Sequence, residues 1–413
     1  MTQNNNIPQG YKKTEIGIIP QEWEVKYLGD LLSRLANGLT YDVSITSGYP
    51  ISRIETISSG EINYLKVGYI DNVSGCESYK MQKGDILYSH INSLAHVGKV
   101  AYYDGKQELY HGMNLLLMRA NDKVDSNYLY AYLLTSQAKH IAQVIAKPAV
   151  NQASISTSDI RKIKLAVPPM EEQRKIAEIL GVWDEAIEKQ SRLIEKLELR
   201  KRALMQRLLT GRTRLPGFTT PWQKVKLGAI CKEFVLRNTD DNNYIVLSCT
   251  KYNGLVSSLD YFGKQIFSDN LRTYKVVPKY HFAYATNHIE EGSIGYQGSY
   301  DYALISPMYT VFKADDTKVD NYFLYTLLKT PLLIYNYQSR IEGSIDRRGG
   351  LRWDAFAGII IKLPSLPEQK AIAEVLTTAD DEIATHRKKL DALRLQKRGL
   401  MQQLLTGKTR IKI

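Results

Sequence analysis

Cysteine is scarce in this chain. There are three, Cys76, Cys231 and Cys249, and none lies at a C-x-x-C spacing. That excludes a disulfide framework, and an odd count without secretory context predicts a reducing, cytoplasmic setting. The opening MTQNNNIPQGYKK is polar and does not read as a signal peptide. No run of about 18 apolar residues occurs, so no membrane span is expected. The seven histidines show no metal-ligand spacing, and no glycine-rich loop follows a strand, so neither a metal nor a dinucleotide is expected on this chain. Acidic residues are outnumbered, 43 against 55 basic, which leaves a net charge of +12.

What is present fits a folded chain. The 413 residues are 44% apolar, enough for two to three domains with real cores. Tyrosine is abundant, 28 against eight Phe and four Trp. A basic, Tyr-rich surface suits a polyanion with groove edges and base faces.

The strongest signal is a repeat. KRALMQRLLTGRTRL (201–215) returns as KRGLMQQLLTGKTRI (397–411). Aligning 168–214 on 364–410 without a gap makes about 22 of roughly 47 positions identical, which marks a duplication. Each copy starts after prolines, continues without Pro through Ala, Leu, Glu, Lys and Arg, and ends in basic residues and a glycine. These are the start and stop signals of a helix. In the first copy Ile176, Leu180, Trp183, Ile187, Gln190, Ile194, Leu197, Lys201, Leu204 and Leu208 alternate at four and three residues, a heptad seam. The second copy repeats it in phase through Ile372, Leu376, Ala379, Ile383, His386, Leu390, Leu393, Lys397, Leu400 and Leu404. A helix of about 38 residues is roughly 57 Å long. It needs a partner along its length, and the other copy is the obvious one.

The segments before the helices echo each other more faintly. Trp23 matches Trp222, Leu28-Gly29 matches Leu227-Gly228, Tyr88 lies opposite Tyr284, and 127–137 parallels 321–331 as a short helix. Strand-like stretches, 161–169 and 357–365, precede the helices. The chain reads as a tandem of α/β (α+β) units: 1–168, a central long helix over 169–212, a second unit over 213–364, and a distal long helix over 365–413.

Catalytic motifs are partial at best. TGKTR (406–410) lacks the earlier glycine of a phosphate loop and ends a helix instead of opening one. ISPMY (305–309) lacks the second proline of an amino-methyltransferase motif. Glu368-Gln369-Lys370 has a nuclease-like E-x-K spacing, but its repeat partner is Glu172-Gln173-Arg174, and a helix cap accounts for both. No catalytic residue is assigned. Two pairs of loops are the candidate DNA contacts. In 146–156 they are Lys147, Asn151 and Gln152; the aligned 341–353 region, with Arg340 just before it, supplies Arg340, Arg347, Arg348 and Arg352. Arg can bridge guanine acceptors, and Asn or Gln can pair with adenine. The other pair is 89–99, with His90, Asn92, Ser93, His96 and Lys99, opposite 285–295, with Asn287 and His288.

GYKKTEIGIIPQEWEVKYLGD, the P-x-x-E-Q helix starts at Pro169 and Leu366-Pro367, and KRALMQRLLTGRTRLPGF together resemble specificity subunits of type I restriction–modification systems. The resemblance covers nearly the whole chain. It implies two target-recognition domains in inverted orientation, separated by two antiparallel coiled-coil helices with a pseudo-two-fold internal repeat. Each domain would read half of a split, asymmetric site in double-stranded DNA. The helices would act as spacer and dock two modification methyltransferase subunits, which restriction subunits then join. S-adenosylmethionine, ATP and magnesium would sit on those partners, with no cofactor here. Without the resemblance, the residues also allow a non-catalytic coiled-coil scaffold joining two protein-binding modules.

Overall fold

Both proline-headed runs form helices of 39 residues, Met170–Leu208 and Leu366–Leu404. Each ends on a glycine in the left-handed region, Gly211 (φ 69°) and Gly407 (φ 71°). The turns are equivalent: Thr213 N–H donates to Arg207 O and Thr409 N–H to Gln403 O, both at 3.2 Å. A side chain other than glycine would strain this stop.

The computed structural model describes residues 7–150, 152–341 and 350–411. The chain divides into two compact units. One comprises 1–191 with 388–413, the other 192–387. Each unit therefore holds one globular region, the start of one long helix and the end of the other. The seam lies inward within each. In the first unit Ile176, Leu180, Gln190, Leu390 and Leu404 are buried, and Trp183, Ile187, Leu393 and Leu400 half-buried. In the second, Ile194, Leu197, Leu208, Ile372, Leu376, Ala379 and Ile383 are buried and Leu204 half-buried.

Ion pairs fix the helices antiparallel, because partners descend along one helix as they rise along the other. In the first unit Asp184 pairs with Lys397 and Glu172 with Arg410. In the second, Glu198 pairs with Arg387, Arg200 with Glu382, Lys201 with Asp380 and Arg214 with Glu368. Asp184–Lys397 and Asp380–Lys201 are repeat equivalents, as are Glu172–Arg410 and Glu368–Arg214. Lys201 and Lys397 are thus seam positions with acidic partners across the helix pair.

The expected capping role of the Glu-Gln pairs is not what the structure shows. Glu172 and Glu368 are fully buried. Arg410 grips Glu172 through two hydrogen bonds at 2.8 and 3.0 Å, and Arg214 grips Glu368 at 2.5 and 2.7 Å. Gln173 accepts from Asp125 N–H (2.8 Å) and donates to the carbonyls of Pro168 and Lys123; Gln369 does the same with Asp320, Pro364 and Lys318. The Glu is a buried counter-ion and the Gln a three-point clamp between helix and globular region. The repeated Thr-Arg after the glycine turn delivers the arginine to it.

The globular regions share one frame. A strand after the repeated Trp (Trp23, Trp222) pairs antiparallel with the strand before the long helix: Glu24–Tyr27 with Lys164–Val167, and Gln223–Lys226 with Ile360–Leu363. A four-stranded antiparallel sheet follows. Its order is Leu32–Asn37, Leu116–Ala120, Ile86–Tyr88, Val100–Tyr102 in the first unit, and Cys231–Glu233, Tyr309–Ala314, His281–Ala285, Ile294–Gln297 in the second. The short helices Ser126–Leu133 and Asn321–Leu328 cover it, N-capped by Asp125 and Asp320. Their cores contain Trp23, Tyr88, Met118 and Tyr128 in one unit, and Phe282, Tyr284, Phe312 and Phe356 in the other. Among the described residues no helix is long and apolar enough to cross a membrane.

Candidate nucleic-acid interface

In the first unit the two candidate loops form one surface. Lys147–Ala149 pairs with Gln152–Ser154, and that strand pairs in turn with Ile91–Asn92, setting Ala153 opposite Asn92. Lys147 and Gln152 are exposed. The Lys147 ammonium lies 4.0 Å from Asp159 and stays largely in solvent. Ser93 and His96 are exposed and joined, Oγ to Nδ1, at 2.8 Å. Asn92 is half-buried; its amide donates to Ser89 Oγ (3.2 Å) and accepts from Ser93 N–H (2.9 Å), so it shapes the loop. Lys99 donates to Ser58 O at 2.8 Å, which draws residue 58 toward the same face.

His90 does not reach this surface. It is 6% exposed, its Nδ1 has no partner, and burial lowers its pKa to about 4, so the ring is neutral. The reason lies in the strand: residues 85–90 are buried on both faces. Asn151 lies outside the described residues.

The second unit brings its two loops together by another route. Leu351 N–H donates to Thr286 O at 3.0 Å. A Cβ on Gly350 would fall 2.8 Å from Asn287 Oδ1 and 2.9 Å from Thr286 Cγ2. A larger residue there would have to displace the Asn287 and Thr286 side chains. Arg340 and Arg352 are exposed on this segment. Arg347 and Arg348 lie outside the described residues. Asn287 is half-buried and His288 exposed, and both line a cleft of about 330 Å³ with Ser248, Phe267, Tyr274 and Met308. His288, Glu290 and Glu291 place ligand atoms within 4.8 Å of one another, a grouping that the histidine spacing did not suggest. His288 Nδ1 lies 3.7 Å from Glu291 Oε1, which accounts for part of it as an exposed contact within one turn.

Both surfaces combine exposed cations with amide and hydroxyl groups on short strands or loops set against a rigid sheet. Cations hold phosphates, and the neutral polar groups can address base edges. Pairing 91–92 with 152–154 could not be read from spacing, since these strands are two and three residues long.

Comparison with known proteins agrees. The family model described as Type I restriction modification DNA specificity domain matches twice, over residues 20–199 and 220–395, each match spanning a globular region and most of the following long helix. A Methanocaldococcus jannaschii protein assigned as the MjaX type I restriction enzyme specificity subunit is 35% identical, covering 98% of this chain and 97% of the relative. The EcoKI specificity subunit of Escherichia coli is 27% identical over 39% of this chain and 36% of its own length. The fold is shared with the crystal structure of a type I restriction–modification S subunit from M. genitalium, at a TM-score of 0.56 and 16% identity, covering 98% of both chains. With two matching domains in a duplicated frame, this chain belongs to the type I restriction–modification DNA specificity family.

Proposed function

We propose that this chain is the sequence-reading component of a type I restriction–modification complex, with each globular region reading one half of a split, asymmetric site in double-stranded DNA. The observation that carries the reading is the duplicated frame: sheet, short helix, Glu-Gln clamp and long helix recur, while the strands and loops displayed on them differ. Two copies of one frame with two different faces suit two different half-sites. In the first unit Lys147, Gln152, Ser93 and His96 meet the duplex; in the second Arg340, Arg352, Asn287 and His288 do. The alignment of the two loops adds Asn151, Arg347 and Arg348, which lie outside the described residues.

In this proposal the chain reads and positions, and catalysis belongs to partners. Two modification methyltransferase subunits dock on the paired helices, whose repeated outer residues offer them equivalent ground. S-adenosylmethionine is held by those subunits, and ATP and magnesium by restriction subunits. The test is co-expression with the modification subunit, followed by mapping methylated adenines across the genome. The reading expects one bipartite, asymmetric motif that is absent without this chain. A protein-binding scaffold whose charge is incidental would give only weak DNA association, lost as salt rises and without sequence preference.

A further inference from the structure

A hairpin that the sequence did not mark stands beside the reading loop of the second unit. Val246–Thr250 pairs with Gly254–Ser257, leaving a three-residue tip of Lys251, Tyr252 and Asn253. The tip is braced. Thr250 Oγ1 accepts from Asn253 N–H at 3.0 Å and donates to Gly254 O at 3.3 Å. It is also set tightly against the 285–295 segment. A Cβ on Gly295 would lie 2.5 Å from Leu255 N and 3.0 Å from Gly254 C, and one on Gly292 would lie 3.9 Å from Lys251 O. The hairpin and the loop bearing Asn287 and His288 therefore form one rigid edge.

The chemistry at the tip is left open to solvent. Tyr252 is 81% exposed. The Lys251 ammonium sits over its ring, 5.4 Å from the centroid, and among the described residues no carboxylate lies within ion-pair distance of it. A cation held on an aromatic face spends little side-chain entropy when it meets an anion. An exposed ring beside an unpaired ammonium offers a duplex an apolar face for a sugar next to a cation for a phosphate.

We propose that the Lys251–Tyr252 tip is a sequence-independent anchor on duplex DNA: the ammonium pairs with one backbone phosphate, and the Tyr252 ring lies against the adjoining sugar, setting the approach of the 285–295 loop. These are positioning residues. The inference rests on the DNA-reading function proposed above and adds a contact that the candidate loops do not contain.

The test uses the full chain assembled with its modification subunits, its methylated motif as cognate duplex, and binding measured from 50 to 200 mM salt. Loss of one phosphate contact lowers the slope of log affinity against log salt by about 0.9. Lys251→Ala is expected to show that change, so that its deficit relative to wild type shrinks about 3.5-fold across the salt range. Lys251→Arg restores the slope, and Tyr252→Ala weakens binding while leaving the slope alone. The base preference at every position stays as in wild type. An unchanged slope and affinity in Lys251→Ala, or a preference altered at a single base pair, overturns the anchor. Wild-type protein that fails to prefer its motif overturns the DNA-reading function instead, so the two failures are distinct.

Discussion

The two globular regions are alike where they touch the long helices and unlike where they face outward. Strand order in the four-stranded sheet, the Asp-capped short helix and the Gln clamp are the same in both. The second sheet is not. The first unit has three short strands, Ile91–Asn92, Gln152–Ser154 and Lys147–Ala149, with a separate pair, Tyr49–Ile51 and Gly68–Ile70. The second unit has a four-stranded sheet in the order Gly254–Ser257, Val246–Thr250, Tyr302–Ile305, Lys275–Pro278, containing a parallel pair between Val246 and Leu304. A frame that must accept the same helix twice is held to one geometry. A face that must read something different is free to change.

The largest effect should come from the buried carboxylates, and it should be unequal. Removing one partner of a buried ion pair costs about 3–5 kcal/mol. Glu172→Ala leaves the buried Trp23 indole N–H, which donates to Glu172 at 2.9 Å, without its acceptor, and leaves Arg410 only the solvent-open Glu22 at 2.6 Å, a pair worth little by itself. Glu368→Ala strands Arg214 alone, because Trp222 Nε1 has no partner to lose. Hydrogen exchange resolved by unit should show the first unit weakened more by its substitution than the second by its own. Equal losses would mean that the tryptophan bond contributes nothing.

Acid should separate the units next. Burial lowers His90 and His111 to about 4, and both have an unpartnered Nδ1; His111 faces Arg34 and Asp85 as well as His90. In the second unit His281 is lowered, also by burial, while its Nδ1 bonds to Lys279 O at 3.0 Å. A depressed folded pKa means that the unfolded chain binds more protons below its own pKa near 6.5. The stability is therefore complete above about 6.5 and lost as pH falls toward 4. Urea unfolding followed by unit from pH 7 to 4.5 should show the first unit losing more. His111→Gln should flatten that difference; a difference that persists in a His90→Gln, His111→Gln double variant assigns it elsewhere.

Base reading should divide by unit. Gln152→Ala is expected to relax preference in one half-site and Arg352→Ala in the other, each by about 1–3 kcal/mol if the contact is bidentate. Selection from randomised duplexes measures this. If both substitutions altered the same half-site, the assignment of one face to one half would fail.

The smallest effect should come from the paired helices. Lys397→Ala removes a partner of Asp184, and Lys201→Ala a partner of Asp380, each about 1 kcal/mol for pairs whose carboxylate is exposed while the lysine stem is largely covered. Asp380 keeps a hydrogen bond from Tyr322, so Lys201→Ala should be the milder in thermal unfolding.

The long helices were legible because their pattern is local and periodic, with seam residues from Ile176 to Leu208 recurring from Ile372 to Leu404. The clamp was not, although both halves of it were visible as repeats. Glu172 and Arg410 are 238 residues apart, and nothing in periodicity joins a Glu-Gln at one helix start to a Thr-Arg after the other helix. His90 misled because a polar residue in a polar loop looks exposed, whereas its strand is covered on both faces. The Lys251–Tyr252 tip was missed because it lies in the second sheet of the second unit, where the duplication offers no counterpart to align.

The central claim is that one frame carries two independent readers, and an exchange of readers tests it most directly. Residues 1–168 would be replaced by the corresponding region of a family member with a different site, the hybrid co-expressed with the modification subunit, and the methylated motif sequenced. The account predicts a new motif with one half-site exchanged and the other unchanged. A motif altered in both halves, from a hybrid that assembles and methylates, would contradict it.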